Sequence, residues 1–172
     1  DIVALQDAAR KAGALTVALV NVEDSAAAHA ADICLSLQAG PELSVAATKS
    51  FIVSLVAGAA IVAHWLDRKD LLAAIEALPG QLATTARIDW PEAVDLATGA
   101  ESLYVVARGP SLPIATETAL KLKETCAIHA EAYSIAEVMH GPLELLGKGF
   151  PVLAYSPEDG ARQSSHISLG KM

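Results

Sequence analysis

Four short apolar runs, separated by stretches with helical spacing, restrict this chain to a parallel α/β architecture. The runs are residues 16–21, 33–37, 103–107 and 150–155. A short run without polar alternation marks a strand buried on both faces, the usual condition of a parallel sheet. Between the runs apolar residues return at helical period. Ile2, Leu5, Ala8, Ala9 and Ala12 form the first stripe, and Gly13 supplies its stop. Asp24 and Ser25 can cap a short second helix. Strands that alternate with helices at this spacing are joined by crossovers and lie parallel.

The spacing predicts a long helix from Ser44 to Asp67 whose centre is apolar all round, so other elements should enclose it. A shorter helix is expected over 70–78, stopped by Pro79-Gly80, with a connector from Gln81 to Pro91. A fresh unit then starts, which divides the chain into 1–88 and 89–172. The second part reads as a helix over 91–99, the strand 103–107, a sharp turn at Arg108-Gly109-Pro110 and a helix from Pro113 to Cys126. An irregular stretch runs through Gly141-Pro142 before the last strand.

The chain is 53% hydrophobic but only 4% aromatic, so Ala, Leu, Val and Ile carry the burial. A net charge of -8 and the lack of any Lys/Arg cluster argue against nucleic acid, which demands a basic footprint. No signal peptide is evident. The longest uncharged run, residues 51–66, falls short of the ~20 apolar residues that span a bilayer. Cys34 and Cys126 have no metal-ligand spacing and are expected as reduced, buried thiols of a cytoplasmic protein. Neither a P-loop nor a Gly-x-Gly-x-x-Gly fingerprint occurs, against nucleotide hydrolysis or dinucleotide binding.

Glu117, Lys121 and Glu124 follow one another at i, i+4, i+7 on the helix after Gly109, within about 60° of arc. Ala115, Ala119, Leu122 and Cys126 take the opposite face, toward the sheet. A carboxylate beside an ammonium can accept and return a proton while the cation steadies an anion. The same trio would equally serve as a solvated face with one favourable i, i+4 pair. His140, before Gly141-Pro142, sits at the mouth of an element and could open a sugar ring or shuttle a proton; a capping or core role is the rival. His129, Glu131, His140 and Glu144 match no zinc pattern, so no metal site is expected. Gly40-Pro41-Glu42 feeds the start of the long helix, where free N–H groups can receive an anion.

Three segments together carry a resemblance: Ala39-Gly40-Pro41-Glu42 with residues 45–51, Ala119 to Glu124, and His129 to Tyr133 with Glu137 and His140 to Leu143. They resemble the sugar isomerase (SIS) double domain of glucosamine-6-phosphate synthase and its stand-alone deaminase relatives. The resemblance implies two flavodoxin-like three-layer α/β/α sandwiches, with 1–88 the last part of the first and 89–172 the first part of the second. It implies isomerisation of glucosamine-6-phosphate or fructose-6-phosphate with loss or gain of the 2-amino group, and neither metal nor organic cofactor. Glu124 then moves the proton between C1 and C2, Lys121 lies beside it with Glu117, and His140 helps open the ring in the neighbouring subunit of a homodimer. Val45, Ala47, Thr48 and Glu117 would touch the sugar, the loop residues partly through their backbone. Ala47 replaces the Ser of the synthases, a departure that favours the deaminase type. Both ends are expected to be cut, leaving a piece that is inactive and prone to aggregate. A sugar-phosphate sensor without chemistry is the alternative function.

Overall fold

The computed structural model describes residues 1–160 and 162–171 and resolves the chain into two compact units, Asp1–Ile88 and Asp89–Met172. The first unit begins with α1 (Ile2–Lys11), β1 (Val17–Val20), α2 (Ala26–Ala30) and β2 (Ile33–Ser36). β1 and β2 pair in parallel, Val17 opposite Ile33 and Val20 opposite Ser36. Thr16 fixes that register from the strand entrance. Its backbone N–H and hydroxyl donate to Asp32 Oδ2 at 2.9 and 2.8 Å, and Asp32 N–H returns a bond to the Thr16 hydroxyl at 3.0 Å. These bonds hold the Asp32 carboxyl below its ordinary pKa. At the exit, the Asn21 side chain donates to Gly40 O at 2.8 Å and accepts from Ala39 N–H at 2.9 Å.

The unit closes with α3 (Lys49–Trp65) packed on α4 (Lys69–Thr85). Three expectations fail here for local reasons. α3 starts at Lys49 rather than Ser44, because the Glu42 side chain caps it from across the preceding loop. α3 is also not enclosed: only Ala63 is fully buried, while Ile52, Leu55, Val62 and Trp65 stay exposed, since a two-stranded sheet and one neighbouring helix cannot cover an all-round apolar cylinder. α4 continues through Pro79 instead of stopping there. Proline has a helical φ; it costs the hydrogen bond to the carbonyl of Ile75, on a helix with no buried residue.

The second unit contains α5 (Pro91–Ala97), β3 (Ser102–Ala107), a 3₁₀ turn at Gly109–Ser111, α6 (Leu112–Cys126), β4 (His129–Ser134), α7 (Ile135–Val138), a second 3₁₀ turn at Pro142–Leu145, β5 (Val152–Ala154) and α8 (Arg162–Leu169). The sheet is parallel in the order β4-β3-β5. Alternation along the central strand builds two cores. Leu103, Val105 and Ala107 pack against Ala115 and Ala119 of α6 on one face. Tyr104 and Val106 pack against Ile135 and Val138 of α7 on the other. The Tyr104 ring meets Tyr133 and Phe150 edge-on, with centroids 5.0 and 4.9 Å away. Helices on both faces of a parallel sheet make the expected α/β fold with three layers.

Gly109, at φ 58°, turns the chain from β3 into α6. At the other end of α6, Ala127 takes φ 56° to lead into β4. Cys34 on β2 and Cys126 at the end of α6 are both exposed free thiols, contrary to the expected burial. β2 has no buried residue, and Cys126 lies beyond the last alanine, Ala119, that α6 buries against the sheet. Among the described residues no helix is long and apolar enough to cross a membrane.

Candidate functional site

α6 gathers the trio that its spacing anticipates. The Lys121 ammonium donates to Glu124 Oε2 at 2.5 Å and lies 3.4 Å from Glu117 Oε1. The hydrogen bond to Glu124, with a smaller contribution from Glu117, raises the Lys121 pKa, so the ammonium stays charged across the physiological range. The three side chains point away from the sheet yet are only 21–27% exposed, well below a solvated helix face. What holds them there is the opposite face of the helix. Ala115 and Ala119 are 0% and 2% exposed, small enough to let α6 lie close against β3. The Thr118 hydroxyl is 2.9 Å from the Tyr155 hydroxyl just past β5, which ties the helix to the far edge of the sheet.

His140 is exposed one residue past the C-cap of α7, and its backbone N–H donates to Glu137 O at 2.9 Å. The turn it begins is pinned from the central strand, where the Tyr104 hydroxyl donates to Pro142 O at 3.2 Å. Burial, with the charge of Glu131, pushes the Tyr104 pKa up, so that hydroxyl remains a donor. Tyr133 beside it is pushed up to about 12, first by its hydrogen bond to Glu131. α6 and α7 cover opposite faces of the sheet, so the trio and His140 are carried on opposite sides of one unit. Tyr104 lies within the apolar run 103–107, and its hydroxyl gives no sequence signal for the turn it holds.

Val45, Ala47 and Thr48 lie in the first unit, in the loop that enters α3. Val45 is 95% exposed, and Ala47 N–H bonds back to Val45 O at 2.9 Å, a tight turn. The helix start beneath them is already occupied. Glu42 Oε1 accepts from the N–H groups of Thr48 and Lys49 at 3.0 and 2.9 Å, and Oε2 accepts from Ser50 N–H at 3.0 Å and from the Ser50 hydroxyl. These bonds, the Ser50 hydroxyl first, lower the Glu42 pKa to about 2. The expectation that free N–H groups here would take an external anion is therefore corrected: an internal carboxylate takes them. The loop instead borders a cavity of about 310 Å³.

His129 lies on β4, its Nδ1 3.2 Å from the Ser102 hydroxyl. Among the described residues no group of three or more His, Cys, Asp or Glu side chains is placed to hold a metal ion. β4 itself was missed in the sequence, because His129 and Glu131 interrupt what would otherwise read as an apolar run.

A family profile described as "SIS domain" matches residues 98–168, the stretch that holds β3, α6, the trio and His140. The chain carries a SIS domain. Outside that stretch the similarity continues in relatives named glutamine–fructose-6-phosphate aminotransferase [isomerizing]. The protein of Sulfurisphaera tokodaii is 40% identical over 149 residues, which are 84% of this chain and 25% of the relative. That of Aquifex aeolicus is 38% identical over 159 residues, 91% of this chain and 27% of the relative. Among solved structures, a protein of Silicibacter pomeroyi assigned as a phosphosugar isomerase superposes with a TM-score of 0.92 at 45% identity, covering 96% of this chain and 51% of that one. The C-terminal domain of glucosamine-fructose-6-phosphate aminotransferase from Francisella tularensis gives 0.81 at 30% identity, covering 98% and 51%. The SIS-bearing chain thus spans about a quarter of the length of these curated relatives and about half of the solved chains.

Proposed function

We propose that this SIS-bearing chain contributes the proton-transfer site of an aldose–ketose isomerase for glucosamine-6-phosphate or fructose-6-phosphate, coupled to loss or gain of the 2-amino group. The observation that carries the reading is the Lys121 ammonium held between two carboxylates on a helix face that is only about a quarter exposed. Interconverting a 2-substituted aldose and its ketose moves one proton between C1 and C2 through an enediol or enolamine. Glu124 takes that proton from one carbon and returns it to the other. Lys121 offsets the negative charge that develops on the neighbouring oxygen, and Glu117 keeps the ammonium in place when Glu124 turns to the sugar. No metal or organic cofactor enters these steps.

Val45, Ala47 and Thr48 receive the sugar along their loop, with backbone groups and hydroxyls suited to sugar hydroxyls rather than to phosphate. The placement of α6 and α7 on opposite faces supports a homodimer in which His140 opens the ring in the partner's site. Alanine at position 47 favours the deaminase direction. The two units of the chain are, on this reading, adjoining parts of a double SIS domain. The test is ammonia release from glucosamine-6-phosphate by the full-length protein and its Glu124→Gln variant. Release that falls by about 10²–10⁴-fold in the variant supports a deaminase with Glu124 as base. Sugar-phosphate binding without any release from the wild type would favour a sensor or a synthase deprived of its ammonia source.

A further inference from the structure

We infer that Glu42 is the positioning residue of the sugar-contacting loop: its carboxylate, by gathering the start of α3, holds residues 43–48 in the form that receives substrate. The inference rests on the proposed function, in which Val45, Ala47 and Thr48 face the sugar.

Residues 43–47 belong to no helix or strand, and the Ala47 N–H bonds back to Val45 O within them. A segment of this kind, with Leu43 94% and Val45 95% exposed, has little packing to define its shape. Its two ends are fixed by side chains instead. Glu42 at the entrance binds Thr48, Lys49 and Ser50 at the exit through three consecutive backbone N–H groups and one hydroxyl. The Lys49 ammonium reaches back to Pro41 O at 2.6 Å. Together they close the loop like a clasp, and the enclosed backbone borders the cavity of about 310 Å³ whose walls include Glu42, Ser44, Ala46 and Thr48.

Only a carboxylate can make this arrangement, since all four partners are donors and a carboxylate accepts without donating. Glutamine keeps the shape but turns an N–H₂ toward donors, which strands the Ser50 N–H. The consequence falls on binding. The loop contacts the sugar alike in ground and transition states, so loosening it raises KM and leaves kcat. A merely structural role would do the opposite, removing active molecules and lowering apparent kcat with KM unchanged.

The test compares the full-length wild type with Glu42→Gln, reading KM and kcat for the sugar phosphate and thermal unfolding. The expected result is a folded variant with KM raised about tenfold and kcat within about threefold of wild type. A folded Glu42→Gln variant with unchanged KM overturns the inference while leaving the proposed function intact. A wild type that neither binds nor turns over hexose 6-phosphates overturns the proposed function and this inference with it. Should Glu42→Gln not fold, Ser50→Ala decides, because it removes one of the four bonds and keeps the backbone donors. A severalfold rise in its KM at constant kcat supports the clasp, and an unchanged KM overturns it.

Discussion

Enlarging Ala119 tests whether close packing of α6 on the sheet is what places the trio. Ala119 is 2% exposed and sits among Leu103, Val105, Ala107 and Ala130. Leucine there adds three carbons to a filled site. A cavity of about 70 Å³ beside this core is walled by Leu103, Leu122 and Leu153 but not by Ala119. Overpacking of this size costs about 1–3 kcal/mol. At roughly 2–4 °C of Tm per kcal/mol for a chain of this size, the expected fall is about 2–12 °C. The helix relieves the strain by moving off β3, and it carries Glu117, Lys121 and Glu124 with it. Displacement of about 1 Å at a reacting group can cost on the order of 100-fold in rate. Differential scanning calorimetry and steady-state turnover read both effects. Leu120→Ala, on a side chain 39% exposed, is the control and should shift Tm by no more than a degree or two. An Ala119→Leu protein with unchanged Tm and unchanged turnover would refute the reasoning.

Two further outcomes follow from the geometry. The Glu42 carboxyl has a folded pKa of about 2 against an ordinary 4.5, so its stabilisation of the α3 start is fully present above pH 4.5 and is lost as pH falls through 2. Amide exchange at Thr48, Lys49 and Ser50 should therefore accelerate, beyond its intrinsic pH dependence, across that window in the wild type and not in Glu42→Gln. If the partner's His140 completes each site, mixing inactive Glu124→Gln and His140→Ala homodimers restores about a quarter of wild-type activity, because half the dimers become hybrids with one intact site. No recovery after subunit exchange, verified by native mass spectrometry, would place His140 in its own chain's site.

Much of the fold was legible because parallel strands are apolar and short. β1, β2, β3 and β5 all announce themselves as runs, and α6 starts within one residue of its expected Pro113 and ends at Cys126. β4 was hidden because its outward positions, His129 and Glu131, are polar while Ala130 alone is deeply buried. Pro79 misled because its φ suits a helix, and α4, which buries no residue, continues past the missing bond at Ile75 despite its cost. The start of α3 could not be read from propensity, since the group that sets it, Glu42, acts from seven residues before the first helical position. The trio was visible as a spacing. Its low exposure was not, because periodicity cannot tell a solvated face from a sheltered one.

The central claim is that Glu124 moves a proton between C1 and C2 of a hexose 6-phosphate. Incubating the full-length protein with fructose-6-phosphate in D₂O and following by NMR the C1 protons of the ketose and the C2 proton of the aldose formed reads that transfer without any need for ammonia. The account predicts deuterium incorporation by the wild type and a loss of about 10²–10⁴-fold in Glu124→Gln, with sugar-phosphate affinity retained. Incorporation at the wild-type rate by the Glu124→Gln variant would contradict it.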